Sequence, residues 1–171
     1  MKKKLNIELF ILQLSEHERE FFMRMDKLMK FEEVVVCYKE NSVTYFPDTD
    51  LKQQPLILRY IVKNGELTVE LKLNFIDCYT DLINTMPEHI KSLFRSIKNC
   101  DHVTDSSCGN KNCGIRRSYT LDSIHYYLCS YKYYFNIDIF NLDDIEYYIK
   151  IINAEIQAVK ARKKHNTTIY E

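Results

Sequence analysis

The chain has no tryptophan, only three glycines and three prolines, and no excess charge of either sign, with 24 Lys and Arg against 24 Asp and Glu. Each shortage excludes something. A dinucleotide fingerprint or a P-loop needs clustered glycines so that the backbone can approach a phosphate, and three dispersed glycines spell neither. A formal charge of zero gives no long-range field for DNA, RNA or an anionic membrane, so nucleic acid is a disfavoured partner. No segment reaches the roughly 18 consecutive apolar residues of a membrane span, which argues against a membrane partner. Lys2 to Lys4 and the apolar stretch behind them look like the start of a signal peptide. Asn6 and Glu8 interrupt that run, however, and no small-residue cleavage site follows. The expectation is a cytoplasmic protein, whose six cysteines are then free thiols or metal ligands in preference to disulfides.

What is present fits one folded unit. A length of 171 residues with 46% apolar side chains predicts a single α+β domain over 1–171. Ser15 with Glu18 forms a capping box ahead of Phe21, Phe22, Met25, Leu28 and Met29, which predicts a helix from about 16 to 30. Residues 5–12 fit a strand or a helical lead-in, because Leu5, Ile7, Leu9 and Ile11 alternate while Phe10 and Leu12 fill the other face, and the segment is read as a strand. Val34–Tyr38 and Val43–Phe46 are β-branched and aromatic and read as strands, followed by a loop from Pro47 to Pro55.

Asn64-Gly65 between two extended runs predicts a type I′ hairpin that pairs Val62 with Leu67, Tyr60 with Val69 and Leu58 with Leu71 on one face. The other face pairs Lys63 with Glu66 and Arg59 with Glu70. Ile76–Asn84 reads as a short helix. Thr85 with Glu88 three residues on suggests a second capping box, with Pro87 in the first turn of a helix that buries Ile90, Leu93, Phe94 and Ile97. A second hairpin turns at Asp122 and Ser123, pairing Leu121 with Ile124 and Tyr119 with Tyr126 and so setting Cys129 opposite Arg116, and a strand follows in which Tyr131, Tyr133, Phe135, Ile137 and Ile139 alternate with Lys132, Tyr134, Asn136 and Asp138. Asn141 caps a long C-terminal helix. Its first turns carry Asp143, Asp144 and Glu146, and its last carry Lys160, Arg162, Lys163 and Lys164, a distribution that opposes the helix macrodipole. The fold class is therefore α+β, an antiparallel sheet of hairpins with helices packed mainly on one face.

Four of the six cysteines, Cys100, Cys108, Cys113 and Cys129, fall in or just after a polar loop at about 99–114. Gly109 and Gly114 directly follow two of them. Glycine there lets backbone N–H groups turn toward thiolate sulfurs. Four thiolates would close a tetrahedral shell around a structural Zn²⁺ with no open position for water. His102 and His125 are alternates for single thiols. The separations of seven, four and fifteen residues contain no C-x-x-C pair, so ordinary thiols, a redox pair or disulfide, and iron–sulfur ligation without a recognised spacing stay open beside zinc. Cys37 and Cys78 stand alone in apolar surroundings and read as small buried residues.

Tyr79-Thr80, the run Pro87–Phe94, the cysteine cluster, Tyr119-Thr120-Leu121-Asp122, Cys129 and Asn141–Ile145 together resemble a group of small, functionally uncharacterised bacterial proteins. These carry a PEHIKSLF-like helix, a cysteine-rich loop and a Y-T-x-D hairpin. The resemblance covers about residues 55–155 and implies a shared fold and a shared metal, but no activity. No catalytic constellation and no organic-cofactor motif emerges from the chain. The reading is a non-catalytic binding or interaction protein with a structural zinc site and a protein or small-molecule partner. Two alternatives remain, a thiol-based redox or metal sensor, and a module that holds nucleic acid or a planar ligand on Tyr126, Tyr127, Tyr131, Tyr133, Tyr134 and Phe135 beside Arg116, Arg117 and Lys132.

Overall fold

The computed structural model describes residues 2–30, 34–48, 55–97, 100, 116–129 and 133–167, with the side chains of 2–6, 116 and 163–167 excepted. Two helices open the chain, α1 (Lys2–Leu12) and α2 (Glu16–Met29), followed by the strands β1 (Val34–Lys39), β2 (Ser42–Pro47), β3 (Leu58–Lys63) and β4 (Glu66–Leu71). A 3₁₀ turn (Ile76–Tyr79) runs into α3 (Thr80–Asn84) and then α4 (Glu88–Arg95). The hairpin β5 (Arg116–Leu121) and β6 (Ile124–Cys129) precedes the short β7 (Phe135–Asn136), a 3₁₀ turn (Leu142–Asp144) and α5 (Ile145–Thr167). The large sheet is antiparallel in the order β1-β2-β3-β4-β7, and β5-β6 forms a second, two-stranded sheet. The class is α+β, as expected. No helix among the described residues is long and apolar enough to cross a membrane.

The β3–β4 hairpin has the predicted register from Leu58↔Leu71 to Lys63↔Glu66. Asn64 and Gly65 both take positive φ, 54° and 79°, the geometry whose twist matches that of the flanking strands. Val43, Tyr45, Leu58, Tyr60, Val62, Val69 and Leu71 bury one face of the sheet, and Phe21, Phe22, Met25 and Met29 of α2 are buried in the same core. Phe22 meets Tyr60 edge-on at 5.1 Å. The capping box starts α2 as predicted, with the Ser15 N–H donating to the Glu18 carboxylate (2.8 Å) and the Glu18 N–H to Ser15 Oγ (3.4 Å). Asn141 Oδ1 likewise accepts from the Asp143 N–H at the entry to α5.

Four expectations are corrected. Residues 5–12 are helical within α1, not a strand. Apolar residues on both sides of this segment make alternation uninformative, whereas Ile7, Phe10, Ile11 and Leu14 sit at helical spacing and pack into or against the core. Thr85 does not cap α4. It closes α3 in the right-handed helical region (φ −84°, ψ −7°), its hydroxyl donates back to Leu82 O (2.7 Å), and extended Pro87 occupies the cap position instead. The strand expected over 131–139 shrinks to Phe135–Asn136, with 131 and 132 outside the described residues. Alternating burial nonetheless persists from Tyr133 to Ile139, because the backbone stays extended while β4 offers little free edge. Glu18 Oε1 already takes the Leu67 N–H (2.9 Å), leaving the ladder to Glu70 and Leu71 and one bond from the Ile137 N–H to Val69 O. Finally, Cys37 and Cys78 are exposed, since Cys37 points to the open face of an edge strand and Cys78 to the outside of the 3₁₀ turn. Within the predicted Pro47–Pro55 loop, residues 49–54 lie outside the described set.

Asp26 is buried beneath the sheet, accepts from the Tyr45 hydroxyl at 2.6 Å, and pairs at its other oxygen with Lys30 Nζ (2.6 Å). Tyr60 beside it is fully buried, and its hydroxyl has no hydrogen-bond partner among the described residues. The two tyrosines should therefore respond oppositely to loss of the hydroxyl. Tyr45→Phe is expected to cost about 1–3 kcal/mol because it strips a donor from a buried carboxylate, whereas Tyr60→Phe removes an unpaid desolvation cost and should be neutral or stabilising by up to about 1 kcal/mol. Urea denaturation of the two variants separates these outcomes.

Candidate functional site

Two of the four cysteines expected to bind metal, Cys100 and Cys129, lie at β6. Tyr119↔Tyr126 and Leu121↔Ile124 frame a two-residue turn in which Asp122 (φ 48°) and Ser123 (φ 66°) both take positive φ. In such a hairpin the residues flanking the turn exchange both backbone bonds and alternate pairs do so thereafter. The Tyr127 carbonyl consequently faces away from β5. Cys100 meets it there, its N–H donating to Tyr127 O at 2.7 Å, and its side chain is only 6% exposed. Cys129 lies two residues further along β6, opposite Arg116 as the register predicted, and is half-buried. Cys100 and Cys129, 29 positions apart in the chain, thus both lie at β6, their backbones about 7 Å apart along the strand direction.

Cys108, Cys113 and the alternate His102 lie outside the described residues. The alternate His125 is exposed on β6, its Nδ1 3.0 Å from Thr120 Oγ1 and its ring edge-on to Tyr127 at 4.6 Å. No group of three or more Cys, His, Asp or Glu side chains able to hold an ion occurs among the described residues. Cys100 and Cys129 fit the donor set of a structural zinc, soft thiol ligands at a buried or half-buried position away from bulk water.

The hairpin is held from below by α4. Arg95 Nε donates to Asp122 (3.0 Å), Lys91 Nζ to its other oxygen (3.1 Å), and both cations also pair with Glu88. Asn84 Oδ1 accepts from the Asp122 N–H (3.0 Å), which helps a non-glycine residue keep positive φ. Hydrogen bonds from Arg95 and then Lys91 hold the Asp122 carboxyl below the usual 3.8. The folded state therefore releases this proton more readily than the unfolded chain, so the contribution is present at neutral pH and is lost as pH falls from 3.8 through the lower folded value. Asp122→Asn is expected to shrink the stability lost over that acid range, measured by thermal melts at pH 2.5 to 5.

A second cluster joins the β4–α3 connection to α5 and β5. Glu155 is wholly buried, and its carboxylate accepts from the Asn74 N–H (2.7 Å), the Phe75 N–H (3.1 Å) and the Tyr79 hydroxyl (2.7 Å). Burial pushes this carboxyl above its ordinary value, and the three donors act against that rise. Phe75, half-buried, carries two guanidiniums on its ring, Arg117 from β5 at 5.2 Å and Arg162 from α5 at 4.6 Å. The Cys78 thiol nearby is pushed up, chiefly by desolvation and by Asp77. Glu155 was not singled out from the sequence. Its signal was an acid on the buried stripe of α5, three residues after Ile152 and four before Val159.

His17 and His89 tie elements together. His17 Nε2 lies 2.7 Å from Ile139 O and its ring stacks on Phe140, and His89 Nε2 lies 2.8 Å from buried Asp144. The Ser92 hydroxyl donates to the His89 carbonyl (2.6 Å). Of the aromatic residues considered for a planar ligand, Tyr126, Tyr133 and Phe135 are buried, Tyr126 stacks on Tyr119 at 5.1 Å, and Tyr134 lies under Arg59 and Lys72. Comparison of the chain with protein-family models, curated proteins and solved structures finds no match.

Proposed function

We propose that the chain is a cytoplasmic, non-catalytic binding protein whose cysteine-rich segment is organised by a structural Zn²⁺ held by Cys100, Cys108, Cys113 and Cys129. The observation that carries this reading is the bond from the Cys100 N–H to Tyr127 O, which brings Cys100 alongside the strand that ends in Cys129. Ordinary core cysteines have no reason to lie at one strand. Thiols gathered for a tetrahedral ion do. Zinc in such a shell performs no chemistry on a substrate; it ties segments together and couples their order to metal binding.

Elemental analysis of the purified protein is expected to find one zinc per chain. Paired Ser replacements at Cys108 and Cys113 should abolish it, while Ser at exposed Cys37 and Cys78 should leave it in place. Metal content unchanged in the first pair would refute the ligand set.

A further inference from the structure

Arg24, Arg59 and Arg95 each pair with a carboxylate, but Arg117 and Arg162 make no ion pair among the described residues. They come from different elements, β5 and α5, and converge on one ring, with guanidinium carbons 5.2 and 4.6 Å from the Phe75 centroid and so no more than about 10 Å apart. Two cations on one half-buried aromatic repel each other. The ring face attracts each guanidinium, and neither side chain makes a hydrogen bond among the described residues, so their N–H groups are free to donate. Glu155, which shares α5 with Arg162, is enclosed and already accepts three hydrogen bonds, two of them from the backbone of Asn74 and Phe75, and it pairs with neither arginine. Asp77 is exposed on the following turn and pairs with neither.

We propose that Arg117 and Arg162, seated on Phe75, form a binding site for a small phosphate-bearing molecule. A carboxylate offers two oxygens and satisfies one guanidinium fork, whereas a phosphate or diphosphate group has enough oxygens for both. A pair of cations within about 10 Å of each other, on a chain of zero formal charge, favours a compact ligand over a polynucleotide backbone, which needs an extended run of positive charge. This site is independent of the zinc reading, because none of its residues is a cysteine ligand.

The test is an NMR titration of the full-length, metal-loaded protein with inorganic pyrophosphate at low ionic strength. The Nε–Hε signals of Arg117 and Arg162 are expected to shift saturably, and Arg117→Gln with Arg162→Gln together should weaken binding at least about tenfold with the backbone amide spectrum otherwise retained. Arg162→Lys keeps the charge at an exposed position and loses the fork, and should weaken binding about threefold or more. Equal shifts in the wild type and the double variant, absence of saturation, or unchanged affinity in Arg162→Lys would overturn the proposal. So would a single-stranded oligonucleotide binding more tightly than pyrophosphate with a steep salt dependence.

Discussion

Replacing Glu155 by Leu is expected to destabilise the protein by about 4 kcal/mol, a fall in Tm of about 10 °C for a chain of this size. Leucine fits an apolar environment and removes the cost of burying a charge, so on solvation alone the change would look favourable. The donors decide otherwise. The N–H groups of Asn74 and Phe75 cannot be mutated away, and with the Tyr79 hydroxyl they would be left inside the protein facing methyl groups. Each buried donor stranded in this way costs about 1–3 kcal/mol, which outweighs the relief of desolvation. A double-mutant cycle isolates the cause. Tyr79→Phe should cost about 1–2 kcal/mol in the native background and close to nothing beside Glu155→Leu, because the partner of the hydroxyl is then already gone.

The same residue sets a pH dependence. Since burial raises the Glu155 carboxyl above 4.5, the folded state retains a proton that the unfolded chain has released. Stability from this group is thus full below 4.5 and declines as pH rises through the higher folded value, opposite in sign to the Asp122 contribution. Glu155→Gln should remove that decline. A Glu155→Leu variant within about 1 kcal/mol of the native protein would mean that water or a rearranged loop satisfies the three donors.

Zinc removal is the second large effect expected. Structural zinc contributes on the order of 10 kcal/mol of binding free energy in small domains that depend on it. Here the hydrophobic core spans α2, β2–β4, α4 and α5 without the cysteines, so the loss should be regional. Chelation is expected to abolish hydrogen-exchange protection of the Cys100 amide and to loosen the outer edge of β6, while the β3–β4 amides keep theirs. Identical exchange with and without chelator would separate the cysteines from any metal.

These expectations rest on features that differed in how openly the sequence displayed them. The β3–β4 hairpin was legible because turn chemistry at Asn64-Gly65, alternation and cross-strand charge pairing all gave one register. The β5–β6 register follows from the same logic, with Cys129 opposite Arg116. α1 was misread because Leu9 and Leu12, which are exposed, carry the same apolar signal as Phe10 and Leu14, which are buried. Only the tertiary contact distinguishes them. Arg162 looked like a helix-end charge opposing the macrodipole, and nothing local indicated that Phe75 would come beneath it. Glu155 was hidden for the same reason: its donors are the backbone of a turn 80 residues away, and backbone groups leave no mark in a residue pattern. The Cys100–Tyr127 contact is likewise nonlocal, and the sequence could nominate its thiol but not the strand edge that receives it.

X-ray absorption at the zinc edge on the purified protein tests the metal reading most directly. The account predicts one shell of four sulfurs at about 2.3 Å, reduced in Cys100→Ser and Cys129→Ser. A shell of nitrogen and oxygen neighbours at about 2.0–2.1 Å, or a protein that folds and purifies without zinc, would contradict it.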